Sequence, residues 1–282
     1  MTTRTVKSRL ARCAAAVSFV LAAGLPGAAS AQSDADAWKW RGTIYLWGAG
    51  IDGTADLPVS GATVDASASF DDILKSLDFA FMGLLEARKG RWGGVMDLIY
   101  MDLSNSESGS RSFSLSGPGG RIMIPGNVSV NTDTSLKSTV LTLAGTYTVV
   151  EKPNYEMLLV GGARYLDVKS DLSWQATGNI GPLPPVARSG SASGKLRNWD
   201  AIIGVRGRAV LDASGKWYVP YYFDVGTGDS DRTWQAAGGI AYRFGWGDVA
   251  LVYRYLDYKF KSGEPLRDLT ISGPAIGASW RW

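Results

Sequence analysis

Histidine is absent from the 282 residues, and cysteine occurs once, as Cys13. The first absence removes the commonest metal ligand and the commonest general base, and with them any Ser-His-Asp nucleophile. The second leaves residues 32–282 without a thiol for a disulfide, a metal or a nucleophilic attack. A membrane-crossing helix is lacking too: the apolar run from Cys13 to Leu25 falls short of the ~20 residues such a helix requires. After residue 37 no long helical period appears.

What precedes residue 32 has the three parts of an export signal. Arg4, Lys7, Arg9 and Arg12 form a basic start without an acidic residue, the apolar run follows, and Pro26-Gly27 breaks it ahead of the small-x-small site Ala29-Ser30-Ala31. Residues 1–31 are therefore expected to be a cleaved signal peptide, and 32–282 the mature domain. Leu10-Ala11-Arg12-Cys13 precedes the apolar run, so it does not serve as a lipidation site. All four charges of this segment are positive, and its removal turns a net charge of +3 into about −1. The basic balance thus belongs to export and gives no support for a nucleic-acid partner.

The mature part reads as strands. Stretches of alternating apolar and polar or small residues cover roughly 38–50, 78–89, 92–104, 136–151, 155–169, 197–211, 216–227, 233–245, 248–260 and 268–282. Globular strands average about five or six residues, whereas a tilted strand crossing a bilayer needs about 9–11. Connections alternate in length: short at Lys89-Gly90-Arg91, Lys152-Pro153-Asn154, Asp212 to Gly215 and Gly245-Trp246-Gly247, long and polar at 51–77, 105–135 and 170–196. Short periplasmic turns opposite long outer loops are the asymmetry of an outer-membrane barrel, and an even strand number puts both termini on the short-turn side. Phe70 to Leu77 has apolar residues at helical spacing, and Thr63 to Ser69 reads as an extra strand. The expected fold is thus a single closed antiparallel transmembrane β-barrel of about ten strands, with eight or twelve as alternatives.

Alternation by itself does not separate a membrane barrel from a soluble one, because both hide one face of each strand. Tryptophan does. Trp38, Trp40, Trp92, Trp217, Trp246, Trp280 and Trp282 fall at the short-turn ends of strands, and Trp47, Trp174, Trp199 and Trp234 near the opposite ends. Indole, apolar in body with a polar N–H, suits the boundary between hydrocarbon and water. The first seven are the expected membrane-interface aromatics. A soluble periplasmic β-barrel remains the rival at the level of fold.

The ending Ile276-Gly277-Ala278-Ser279-Trp280-Arg281-Trp282 resembles the terminal assembly signal of bacterial outer-membrane barrels, with tryptophan in place of the usual last phenylalanine. The run from Trp38 through Leu103, including Tyr45-Leu46-Trp47 and Asp78 to Gly83, looks like a recurrent family of uncharacterised proteobacterial outer-membrane proteins. The whole mature chain is more distantly similar to small porin-like and opacity-type barrels. The resemblance implies location and architecture: residence in the outer membrane of a Gram-negative cell, contact with lipid bilayer and lipopolysaccharide, and insertion by the barrel assembly machinery. It implies no settled activity.

The residues expected to face the lumen are Arg41, Glu86, Arg88, Asp97, Glu156, Arg164, Asp200, Arg206, Arg208, Asp224, Arg243, Arg254 and Arg281. Charges inside a narrow barrel must be paired or wet. They are either salt bridges that fill and stiffen the interior or, given the excess of arginine, the lining of a narrow anion path. About eight strands leave an interior that side chains fill and sixteen leave a channel, so ten lies near the filled end. A carboxylate pair such as Glu86 with Asp97 has the chemistry for acid–base work, but neither shows more than strand-periodic charge. Asp224 to Asp231 gathers oxygen ligands but lacks the closing glutamate of a calcium loop. The glycine-rich patches Gly117 to Gly120 and Gly238-Gly239 precede no helix and match no phosphate loop. The reading is therefore a non-enzymatic barrel without catalytic, cofactor or metal residues, structural or narrowly porin-like. The alternative is a surface adhesion or ligand-binding barrel acting through loops 105–135 and 170–196.

Overall fold

The computed structural model describes residues 37–56, 63–116, 123–180, 185–264 and 266–282. The expected signal segment 1–31 and the patch Gly117 to Gly120 lie outside the described residues. Twelve strands and one short helix follow in chain order: β1 (Lys39–Trp47), β2 (Gly50–Asp56), β3 (Thr63–Ala68), α1 (Phe70–Lys75), β4 (Leu77–Lys89), β5 (Trp92–Ser116), β6 (Met123–Lys152), β7 (Tyr155–Ile180), β8 (Val186–Val210), β9 (Trp217–Gly228), β10 (Ser230–Arg243), β11 (Asp248–Phe260) and β12 (Leu266–Arg281). Ten of them, β1 and β4–β12, pair antiparallel with their neighbours in sequence, and β1 pairs with β12 to close the ring.

The short turns act as read from the sequence. Gly90 and Gly215 adopt positive φ (59° and 69°), a conformation that costs other L-residues strain. In the turn between β8 and β9, the Asp212 carboxylate accepts from the Ser214 hydroxyl and, at 2.8 Å, from the Trp217 N–H. The Ser214 bond first, and the backbone N–H groups after it, hold this carboxyl below the ordinary carboxylate range. A carboxyl depressed on folding stabilises the fold above its unfolded pKa of about 3.9, and that contribution fades as the pH falls through the lower folded value. Asp212→Asn should therefore lower stability near neutral pH and flatten the acid arm of a pH–stability curve measured by urea unfolding. An unchanged curve would mean that the turn does not depend on the carboxylate.

The first crossing is interrupted. Gly48 and Ala49 separate β1 from β2, yet both lie along β12, which pairs with β1 over Ala275–Arg281 and with β2 over Leu266–Ser272. β3 turns back onto β2, so Thr63 to Ser69 contributes the extra strand, outside the ring. The helical spacing at Phe70–Leu77 gives α1, whose first turn is closed by a capping box between Ser69 and Asp72. Asp71 and Asp72 at its start and Lys75 at its end suit the helix dipole, and Ile73 is its buried residue.

The long connections differ most from expectation. Residues 105–116 and 123–135 continue β5 and β6, and 170–180 and 186–196 continue β7 and β8. These four strands run 25, 30, 26 and 25 residues. Past Leu103 on β5 and Asp200 on β8 the neighbours β4 and β9 stop, and β5–β6–β7–β8 go on as a four-stranded sheet. Serine occupies every second position from Ser104 to Ser116, with Asn105, Glu107, Gly109 and Arg111 among the intervening ones, so the alternation that marks a membrane strand is lost. Outside the bilayer, cross-strand backbone pairing carries the sheet without the strict alternation that a membrane crossing needs.

Candidate functional site

The interior is built from the inward residue of each strand, every second position. At its centre lies an ion pair between Arg164 of β7 and Asp224 of β9, both 0 % exposed. The Arg164 guanidinium also reaches the Thr142 and Thr233 hydroxyls at 3.3 and 3.4 Å. Beside it, Arg254 of β11 pairs with Asp97 of β5 at 2.8 Å and donates to Tyr45 Oη and Gln235 Oε1 at 3.0 and 2.9 Å. Tyr45 itself donates to Asp97 at 2.6 Å. Asp200 accepts from the Asn198 amide and, at 3.0 Å, from the Ser230 N–H.

Nearer the short-turn rim the remaining charges form three clusters, each around one carboxylate. Glu86 takes Arg41 (3.5 Å) and Arg206. Glu156 takes Arg208 (3.1 Å) and Arg88, whose guanidinium also meets Glu151 at 3.0 Å. Asp248 takes Arg281, Arg243 (3.6 Å) and Arg41 (4.0 Å). All thirteen charges singled out in the sequence thus have a polar partner. Glu86 and Asp97 are each held by arginine instead of by one another. Tyr45, Gln235, Thr142, Thr233, Asn198 and Asp248, absent from the sequence-derived set, complete these bonds; being mostly uncharged, they stand out only once cross-strand neighbours are known.

Toward the outer side the polar layer meets an apolar one. Met82, Ile99, Val140, Leu166, Leu256, Tyr258 and Ile271, from six different strands, are buried there together with Trp47 of β1. Trp47 was grouped with the outer-rim tryptophans; instead it is 5 % exposed and turned inward. Its indole N–H donates to the Gly273 carbonyl at 3.1 Å, and Arg254 lies over its ring at 4.8 Å. The break at Gly48-Ala49 follows it directly. Leu166, Leu256 and Tyr258 have no accessible surface, so this layer is closely packed around them.

The exterior is of the opposite character. Leu46, Phe79, Leu143, Leu159, Ile203, Val225, Leu251 and Ile276 stand exposed around the ring. Trp38, Trp40, Trp92, Trp217, Trp246, Trp280 and Trp282 are all exposed at the short-turn end, with ring contacts such as Trp92–Tyr147 at 4.7 Å and Trp246–Trp280 at 5.9 Å. At the other end Tyr165 packs on Trp199 (4.6 Å) and Trp234 stacks on Tyr255 (4.8 Å). A closed ring with an apolar outside and aromatic rims is what a bilayer selects, because every backbone group is paired and no strand edge meets lipid.

No protein-family model and no curated protein matches the sequence. Solved structures do. They include the translocator domain of the autotransporter NalP from Neisseria meningitidis (14% identity over 87% of this chain and 88% of that one, TM-score 0.39). The outer membrane protease OmpT from Escherichia coli is another (10%, 88% and 98%, TM-score 0.49). A third is Ail, the attachment invasion locus protein of Yersinia pestis (9%, 88% and 99%, TM-score 0.31). The chain is a closed antiparallel β-barrel with the apolar exterior of a membrane-spanning one. The likeness is one of architecture, and the activities of those proteins stay with them.

The sheet beyond the outer rim has two faces of different chemistry. On the lumen side, Val128, Val130, Leu172, Trp174 and Val186 are exposed, with the Trp174 indole lying where a Cβ on Gly190 would stand, 2.7 Å from its Nε1. On the outward side the cross-strand register aligns residues into rows. The lowest above the aromatic rim are Tyr100–Thr139–Asp167–Arg197 and Asp102–Lys137–Lys169–Lys195. Ser104–Ser135–Asp171–Ser193 follows, then Ser106–Asp133–Ser173–Ser191 and Ser108–Asn131–Gln175–Ser189. A shallow cleft of about 840 Å³ opens against the last two rows. The acidic run Asp224 to Asp231 is dispersed: Asp224 turns inward to Arg164, and Asp229 accepts from the Trp199 N–H at 2.9 Å.

Proposed function

We propose that the chain is a sealed outer-membrane barrel that acts as the mount for a rigid extracellular sheet, its work being surface recognition and not conduction. The observation that carries the reading is the layer of Leu166, Leu256 and Tyr258, which have no accessible surface, above the buried Arg164–Asp224 pair. A permeation path needs a hydrated or ion-lined passage, and here the arginines are each committed to a carboxylate or a hydroxyl. The strands of β5–β8 continue for about a dozen residues beyond the rim. Binding surfaces commonly sit on such rigidly held segments.

The same reading has no catalytic step, since the Glu86 and Asp97 carboxylates are bound to arginine on the lumen side. Lipopolysaccharide is its neighbour in the outer leaflet, and the barrel assembly machinery its partner during insertion. The narrow porin-like role is the second reading, favoured only by the surplus of arginine inside.

Two measurements test this. Refolded mature protein should leave a planar bilayer electrically silent at high loading; discrete conductance steps would overturn the sealed lumen. A Ser108→Cys variant should react with a membrane-impermeant maleimide on intact cells, whereas Ser214→Cys in a short turn should react only after the envelope is opened. Labelling in the reverse order would place the sheet on the periplasmic side.

A further inference from the structure

Three lysines from three adjacent strands stand in one lateral row on the outward face: Lys137 of β6, Lys169 of β7 and Lys195 of β8. Neighbouring strands are about 4.8 Å apart, and like charges placed directly opposite one another destabilise a sheet. The carboxylates nearby relieve only one end. Asp102 takes Lys137 at 2.8 Å, with Asp78 adding to the negative charge on that side. At the β7–β8 end a single carboxylate, Asp167, serves Arg197 at 3.0 Å, Lys169 at 3.8 Å and the Tyr165 hydroxyl at 2.9 Å. Lys195 too lies in the field of Asp167, so three cations share that one carboxylate, and Asp171 belongs to the next row up, opposite Ser193. Lys169, Lys195 and Arg197 therefore carry a positive excess that the protein does not neutralise.

The position of that excess is telling. Below it on the same face lie the Tyr165–Trp199 pair and then apolar side chains such as Leu143 and Ile203. Above it lie the rows of serine, asparagine, glutamine and aspartate and their cleft. Read outward along β7 and β8, the surface is apolar, aromatic, cationic, then hydroxyl- and amide-rich. A phosphorylated glycolipid has the same order: acyl chain, phosphate, saccharide.

We infer that the outward face of β5–β8 is the seat of a phosphorylated glycolipid of the outer leaflet. Lys169, Lys195 and Arg197 hold its phosphate, and the rows containing Asn131, Asp133, Ser173 and Gln175 meet its sugars. Cations near a membrane surface attract anionic headgroups, and planar amides and carboxylates present the paired donors and acceptors that vicinal hydroxyls match. The inference rests on the extension being extracellular, as proposed above, because only the outer leaflet supplies saccharide at that height.

The test uses purified full-length mature barrel in detergent, with native mass spectrometry reading bound lipid. The probes are rough-type lipopolysaccharide, the same material stripped of phosphate, phosphatidylglycerol, and inorganic phosphate as competitor. Lys169→Glu/Lys195→Glu/Arg197→Glu should weaken lipopolysaccharide binding at least about tenfold, and removal of phosphate from the lipid should do the same to the unaltered protein. Asn131→Ala/Gln175→Ala should weaken binding several-fold for lipopolysaccharide and leave phosphatidylglycerol unaffected. Should the glutamate triple variant fail to fold, as judged by heat-modifiable migration, Lys195→Gln alone is expected to lose binding and Lys195→Arg to keep it. Equal binding by the charge variants, or by the dephosphorylated lipid, would overturn the site. Displacement by millimolar inorganic phosphate, or equal affinity for phosphatidylglycerol, would overturn its assignment to a glycolipid. The Ser108→Cys labelling separates the two levels: an extension labelled from outside with unchanged lipid binding sinks this inference alone, and an unlabelled one sinks both.

Discussion

Arg164→Ala should destabilise the barrel by about 3–5 kcal/mol, because it leaves the Asp224 carboxylate buried without a counter-charge. Both members of this pair are 0 % exposed, so neither is rescued by solvent. The loss is a statement about the unpaired survivor and not about the net worth of the bond. Asp224→Ala should cost about the same for the same reason, and Arg164→Met/Asp224→Leu should recover most of either loss. Urea unfolding of protein refolded into lipid vesicles, followed by tryptophan fluorescence, measures the unaltered protein and all three variants. The control is Arg88–Glu151, whose glutamate side chain is 57 % exposed. Glu151→Ala should cost under about 1 kcal/mol, as exposed pairs do. Were Arg164→Ala equally mild, the centre of the barrel would have to be wet, and the sealed lumen would fall with it.

On the outside, Ile203→Arg should cost about 2–4 kcal/mol in a bilayer. Ile203 is 68 % exposed, sits between the Trp199 and Leu211 ends of its membrane crossing, and pairs with Val225 across β9. In a water-soluble barrel the same change would be nearly neutral, since exposed positions tolerate substitution to within about 0.5 kcal/mol. Ser108→Arg, on the extension, supplies that neutral reference within the same chain. The comparison decides between membrane and soluble folds with one pair of variants: equal and small losses at both sites would remove the bilayer from the description.

The ring was readable because lipid enforces a strict alternation where strands cross it. In β8, Ile203 and Val205 face out while Ile202, Arg206 and Arg208 face in, and the pattern stands clear in the letters. Beyond the rim that constraint lapses. Ser104 to Ser116 repeats with period two, but serine on one face and Asn105, Glu107, Gly109 and Arg111 on the other give no contrast of polarity, so the segment reads as a loop. The break after Trp47 was hidden for a different reason: Gly48 and Ala49 fit a strand as well as a kink, and only pairing of β2 with β12 distinguishes them. The lumen charges were legible as a set, one per inward position, while their pairing was not. Which arginine meets which carboxylate depends on strands far apart in sequence, such as Arg88 with Glu156, 68 positions away. The lysine row is the extreme case. Its members are brought level by the register of three hairpin strands, and nothing local in the sequence marks it.

The ring closes at one seam. Nine of the ten neighbour contacts join ring strands that follow one another along the chain, each closing at modest loop-closure cost. The tenth joins β1 to β12, where the Thr43 and Ser279 hydroxyls meet at 2.8 Å across 236 positions of sequence. Until then the first and last strands are both raw edges, and Arg41, Arg281 and Asp248 face each other across an open gap. Once β12 arrives it docks along β1 and β2 together, so the last event in assembly joins two strands at a stroke and completes the charge cluster at the seam. The seam of the ring thus depends on a final sixteen-residue strand that meets the earliest one across nearly the whole chain.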